Sequence, residues 1–219
     1  DFDALDVSER EGAQVDPDYF LHTIASKRRS SLGEMIVVRV YLYTSWSIAG
    51  VQLVREPGTD GFWVENIDTG AKHQTSQEQV QIGDRVYERV ELRRIALFPV
   101  RPGELTIAPA LAELEVRRGG FFSQAKKVRR ASQPVVVTVE PLPDAGRPPE
   151  FAPANVGQFS FRAEIDKETV KVGEPVTVTL TVRGEGNLRN AILPTVGEVP
   201  GFKTYAPETD VDVRTEGGQ

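Results

Sequence analysis

Leu32-Gly33-Glu34-Met35-Ile36-Val37-Val38-Arg39-Val40-Tyr41-Leu42 is answered, 140 residues on and without a gap, by Val172-Gly173-Glu174-Pro175-Val176-Thr177-Val178-Thr179-Leu180-Thr181-Val182. After its Gly-Glu pair each stretch carries an aliphatic residue at every second position, which predicts a strand with one buried face. The Gly-Glu step predicts a tight turn, because glycine takes a positive φ at little steric cost. Upstream the match continues: Leu21, Thr23, Ala25 and Lys27 fall against Phe161, Ala163, Ile165 and Lys167. A strand, a turn and a long second strand, used twice, predicts an all-β chain of two tandem β-sandwich modules. Ile36, Val38 and Val40 are expected in one core, and Val176, Val178 and Leu180 in the other.

Working outward from the repeat gives four regions. Residues 1–16 are acidic and polar without hydrophobic period, and read as a linker or the tail of something upstream. Residues 17–142 form the first module. Its strands are expected at Tyr19–Ala25, Glu34–Thr44, Phe62–Glu65, Asp84–Phe98, Gly103–Pro109, Leu111–Arg117 and Val135–Val139, with a loop around Trp46 and Gly50. Pro99-Val100-Arg101-Pro102-Gly103 reads as a corner, since proline cannot donate to a ladder. Residues 143–156 form a Pro-rich linker, expected to be extended and semi-rigid. Residues 157–219 hold the second module, with strands at Phe159–Ile165, Val170–Arg183, Leu188–Leu193 and Phe202–Tyr205. Its Gly-Glu step lies far closer to the end of the chain than the first one lies to Leu142, so this module is expected to be truncated. A sandwich edge left open in that way is available for strand addition.

Composition narrows the chemistry. Among the 219 residues there is no cysteine, which excludes disulfides, thiol catalysis and Cys-ligated metals together. A net charge of −6 argues against a dedicated nucleic-acid binder, because neutralising phosphates takes a surplus of Lys and Arg. No run of eighteen apolar residues is present, so no segment reads as a membrane-spanning helix. The chain begins Asp1-Phe2-Asp3, without Met or an apolar leader, and reads as a processed piece whose signal or anchor lies outside it.

Few residues point to a site. The two histidines, His22 and His73, have no ligand partners at metal spacing, and His22 falls on the solvent face of its strand. Ser31, His22 and Asp84 supply the residue types of a triad, yet no serine sits in a G-x-S-x-G elbow, so no catalytic residue is assigned. Asp144, Glu164, Glu174, Asp210 and Asp212 lack a repeated Asp-x-Asp pattern, and neither a metal nor a cofactor is expected. Phe62 or Trp63 is expected to be the large core residue between sheets.

One cluster stands out against the acidic background. Arg117 and Arg118, then Phe121 and Phe122, then Lys126, Lys127, Arg129 and Arg130 fall between the strands Leu111–Val116 and Val135–Val139. As a protruding hairpin tip this cluster has the chemistry to contact an acidic partner or anionic lipid head groups, with the aromatics inserting where the charges steer. The plainer reading, which is preferred, is a solvated turn whose Phe pair folds back on the module.

The strongest segment for a family likeness is Arg93-Arg94-Ile95-Ala96-Leu97-Phe98-Pro99-Val100-Arg101-Pro102-Gly103-Glu104-Leu105-Thr106-Ile107-Ala108-Pro109. With it come Gly61–Glu65, Pro134–Pro143, Phe151–Phe159, Val172–Val178 and Gly184–Leu188, in that order. This ordered set, from about residue 20 to residue 206, resembles the BatD family of bacterial aerotolerance, or oxygen-tolerance, proteins. The resemblance implies a non-enzymatic, membrane-anchored protein on the periplasmic side of the inner membrane, with immunoglobulin-like modules between a signal peptide and a C-terminal helix. It implies partners as well: membrane proteins with von Willebrand factor A domains and, indirectly, a MoxR-type AAA+ ATPase. In the family the second sandwich closes with a further Leu-Phe-Pro-x-x-x-Gly-like strand pair, before which this chain stops. No catalytic residues are carried over. The alternative class is a carbohydrate- or cell-wall-binding sandwich in which Trp46, Trp63 and tyrosines stack on sugars.

Overall fold

The computed structural model describes residues 18–67, 78–117, 125–147, 151–152, 155–187 and 191–212. Every regular element among them is a strand. The chain folds as two compact units, with Ile36–Leu142 in the first and Pro143–Glu216 in the second. The first unit contains β1 (Tyr19–Ala25), β2 (Arg29–Ser31), β3 (Ile36–Thr44), β4 (Ile48–Arg55), β5 (Phe62–Asn66), β6 (Glu78–Ile82), β7 (Arg85–Pro99), β8 (Gly103–Ile107), β9 (Leu111–Val116), β10 (Lys126–Ala131) and β11 (Val135–Glu140).

One layer of the sandwich is the sheet β1-β3-β7-β5, with β6 continuing the β5 edge along the other half of the long β7. The facing layer consists of two three-stranded sheets, β2-β11-β8 and β10-β9-β4. Alternation places Ile36 and Val38 of β3 and Ile95 and Leu97 of β7 against Leu105, Ile107, Val135 and Val137. At the other end Leu21, Leu42 and Val90 pack against Ala112, Leu114 and Val116. Each such side chain taken fully out of water contributes about 1.5–3 kcal/mol before entropy is counted. Of the Phe62-Trp63 pair, Phe62 is the one buried between the sheets, and Trp63 points outward.

The two facing sheets share one hairpin. β9 pairs with β10, and β8 with β11, in a single unbroken register along Gly103–Val116 and Lys126–Val139. At the crossing Ser132 meets Ala110: the Ser132 N–H donates to the Ala110 carbonyl at 2.9 Å. The Ala110 N–H donates to Ser132 Oγ at 3.0 Å, and Thr23 Oγ1 donates to the same oxygen at 2.7 Å. Thr23 and Ser132 are buried, so their hydroxyls satisfy each other inside the sandwich.

A bulge shapes β7. Val40 lies opposite Arg93 but Tyr41 opposite Glu91, which leaves Leu92 as the extra residue. Glu91 and Arg94, three apart, are thereby brought together and make two hydrogen bonds of 2.8 Å. The outer face of this sheet carries a third cluster, Tyr41, Tyr43, Ile82 and Tyr87, with Phe20 stacked on Tyr43 at 4.9 Å. His22, expected to face bare solvent, is half-buried beside this cluster, 6.4 Å from Tyr43.

The second unit contains β12 (Gly157–Ile165) and β13 (Val178–Gly186), an antiparallel pair. The repeat holds down to the register. Leu21 lies opposite Leu42 and Phe161 opposite Val182; Ala25 lies opposite Val38 and Ile165 opposite Val178. The strand ends are tied alike. Ser26 N–H donates to Val37 O and Val37 N–H to Ser26 Oγ; Asp166 N–H donates to Thr177 O and Thr177 N–H to Asp166 Oδ1. Both predicted glycine turns have positive φ, 78° at Gly33 and 91° at Gly173.

Burial differs between the units, which corrects an expectation. Val178 is 44% exposed and Val176 and Leu180 are half-buried, where their counterparts Ile36, Val38 and Val40 are buried. The cause is the surroundings, since no strand among the described residues faces β12 and β13. In the first unit Ile36 and Val37 pair with β7, and β2 pairs with β11. Without such partners 169–177 forms no strand, and β13 starts only at Val178 rather than Val170. Phe202–Tyr205 and residues 191–193 are likewise irregular, and Leu188 lies outside the described residues. The loop expected around Trp46 and Gly50 gives way, from Ile48 onward, to β4, whose alternation is interrupted by register shifts at Ile48/Gly50 and Leu53/Arg55.

Candidate functional site

The basic cluster is built differently from the expected tip. β9 does turn back on itself, but the returning strand is β10, so Lys126–Arg130 belongs to a ladder and not to a protrusion. Val135–Glu140 then pairs with β8. Period two explains β10: Val128 lies opposite Leu114 and packs against the second core, while Lys127 and Arg129 point outward. Four basic residues among its six positions hid this strand.

Three of the basic side chains are occupied. Lys127 Nζ donates to Glu113 Oε1 at 2.9 Å and lies 3.8 Å from Glu115 Oε1. Arg129 Nε donates to Glu113 Oε2 at 3.2 Å. The Arg130 guanidinium lies over the Tyr19 ring, 4.6 Å from its centroid, closing the edge of the sandwich between β10 and β1. Glu113 and Glu115 alternate along β9, a sequence signal that the cluster has its own counter-charge. Arg117 and Lys126, at the turn end of the hairpin, have no ion pair among the described residues. Arg118, Phe121 and Phe122 lie outside the described residues.

The hydrogen bonds from Lys127 and then Arg129 hold the Glu113 carboxyl below its ordinary range, and the bond to Glu113 raises Lys127. With the folded value depressed, the stabilisation is present above the ordinary carboxylate range and is lost as pH falls through the folded value. An NMR titration is expected to give Glu113 a midpoint below that of a free glutamate, and Lys127→Gln should return it toward normal. A midpoint unchanged by Lys127→Gln refutes the assignment.

Other sequence candidates do not assemble. Ser31 pairs along β11, His22 lies on the outer face of β1, and Asp84 sits in the β6–β7 turn. His73 lies outside the described residues. No group of three or more His, Asp or Glu able to hold a metal occurs among the described residues. Trp46 and Trp63 are both 53% exposed but far apart. Trp63 lies opposite Phe98, whereas Trp46 borders Val86–Glu88, about 33 Å away along β7 at ~3.3 Å per residue.

No protein-family model, no curated protein and no solved structure matches the chain.

Proposed function

We propose that this chain is a non-enzymatic interaction and scaffold segment, made of immunoglobulin-like modules, of a membrane-anchored BatD-like envelope protein linked to oxygen or stress tolerance. In this reading it sits on the periplasmic side of the inner membrane and contacts the von Willebrand factor A-domain proteins of its system. The MoxR-type ATPase is reached only indirectly.

The observation that supports it is the split within the basic hairpin. Glu113 takes up Lys127 and Arg129, and Tyr19 takes up Arg130, while Arg117 and Lys126 are left together at the turn end. Folding gains little from like charges gathered there, so their use lies in meeting an acidic surface. Arg118 and the Phe121-Phe122 pair lie between them in sequence and add one more charge and two aromatics to that stretch.

The test compares two triple variants of the full-length protein in its own membrane. Arg117, Arg118 and Lys126 replaced by Gln are expected to weaken co-purification of the von Willebrand factor A partner about a hundredfold, at roughly 1 kcal/mol per charge near an anionic surface. Lys127, Arg129 and Arg130 replaced by Gln should leave it nearly unchanged. Equal capture by both variants at low and high salt overturns the reading. Loss of binding to anionic vesicles without loss of the protein partner redirects it to the lipid.

A further inference from the structure

We propose that the cleft at the open end of the first sandwich, between the Trp46 turn and the β6–β7 edge, binds a neutral, hydroxyl-rich sugar ring. The cleft encloses about 460 Å³ and is bordered by Trp46, Ser47, Gln79, Val86, Tyr87 and Glu88. That volume falls within the range of small-molecule sites.

The backbone that carries the indole is held in place before any ligand arrives. Thr44, itself buried, donates its hydroxyl to the Trp46 carbonyl at 2.5 Å and accepts from the Trp46 N–H at 3.2 Å. Ser45 anchors the same turn: its N–H and its hydroxyl both donate to the Asp18 carbonyl, at 2.9 and 3.2 Å. The tryptophan leaves half its surface in water, on a turn tied by four hydrogen bonds. Fixing the turn from which the indole projects lowers the backbone entropy that binding has to overcome.

Its polar wall is also prepared. Gln79 of β6 lies opposite Glu88 of β7, and Thr44 of β3 lies opposite Glu88 on the other side. Neighbouring charges are paired off: Arg85 with Asp18 at 3.3 Å and Arg89 with Glu78 at 2.6 Å. Gln79 and Glu88 make no hydrogen bond or ion pair among the described residues. A carboxylate accepts from hydroxyls, and an amide both donates and accepts, so the pair suits adjacent hydroxyls on one edge of a pyranose. The apolar face of that ring then lies on the indole and Val86. A small cation would satisfy Glu88 and the indole but leave Gln79, Ser47 and most of the cleft unused.

The full chain with Trp63→Phe leaves Trp46 as the only indole, so its fluorescence reports on the cleft. Titration with chitotriose, cellotriose and maltotriose is expected to give a saturable change for at least one, insensitive to salt, with millimolar affinity. Trp46→Ala, followed by NMR in the same background, should weaken binding about tenfold or more, and Glu88→Gln by about fivefold. Trp63→Phe alone should change nothing, and all variants should melt as the parent does. No saturable response to any of the sugars up to about 10 mM overturns the proposal. So does undiminished affinity in Trp46→Ala. A salt-sensitive response to trilysine in place of the sugars assigns the cleft to cationic peptides and overturns it equally.

Discussion

Val38→Asp is expected to unfold the first unit, while Val178→Asp leaves the chain folded. The two valines are counterparts in the repeat and lie in the same register against Ala25 and Ile165. Val38 is fully buried, within the cluster that includes Leu97, Leu105 and Val137. A carboxylate there has no cation to meet, and an uncompensated buried charge costs about 3–5 kcal/mol or more. That is a large share of the roughly 5–15 kcal/mol by which a domain is stable. Val178 is exposed on the open face of the β12–β13 pair, where a surface change stays within about 0.5 kcal/mol. Thermal unfolding followed by circular dichroism reads both. A fall of melting temperature for Val178→Asp as large as that for Val38→Asp would show the second face to be covered in solution.

Ser132→Ala should cost about 2–4 kcal/mol, far more than the loss of one oxygen suggests. Its Oγ is the acceptor for both the Ala110 N–H and the Thr23 hydroxyl, at the point where the shared hairpin passes from one facing sheet to the other. Alanine leaves two buried donors without a partner. Thr23→Val removes only one donor and leaves the Ala110 bond intact, so about 1 kcal/mol is expected. The double variant should therefore be no worse than Ser132→Ala alone. Denaturant unfolding of the three variants checks the order. A Thr23→Val loss equal to that of Ser132→Ala would mean that the Ala110 bond contributes nothing.

The repeat was legible because both copies keep strict period two through Leu42 and Val182, and the same alternation announced β8, β9 and β11. β4 was lost where register shifts at Gly50 and Arg55 break the period. β10 was lost because Lys127 and Arg129 occupy its outward positions and read as loop. β2 depends on β11, far along the chain, where Val139 lies opposite Ser30, which no local pattern reveals. The basic site was legible as composition but not as geometry. The counter-charges Glu113 and Glu115 alternate visibly along β9, but only pairing shows that the residues they take up are Lys127 and Arg129. Gln79 and Glu88 went unnoticed as a pair for the same reason, since cross-strand neighbours are set by register.

The short parallel pairing of β2 with β11 matters when the chain is pulled. Thr138, Val139 and Glu140 run beside Arg29, Ser30 and Ser31 in the same direction, held by Thr138 N–H to Arg28 O at 2.8 Å and Leu32 N–H to Glu140 O at 2.9 Å. These strands lie near the two ends of the first unit. Tension along the chain therefore slides them past each other instead of peeling them apart. Bonds loaded in shear share the force and fail together, whereas an unzipping hairpin gives them up one by one. Once β1 has yielded, this clasp carries the load, and the sandwich behind it is shielded until the clasp lets go.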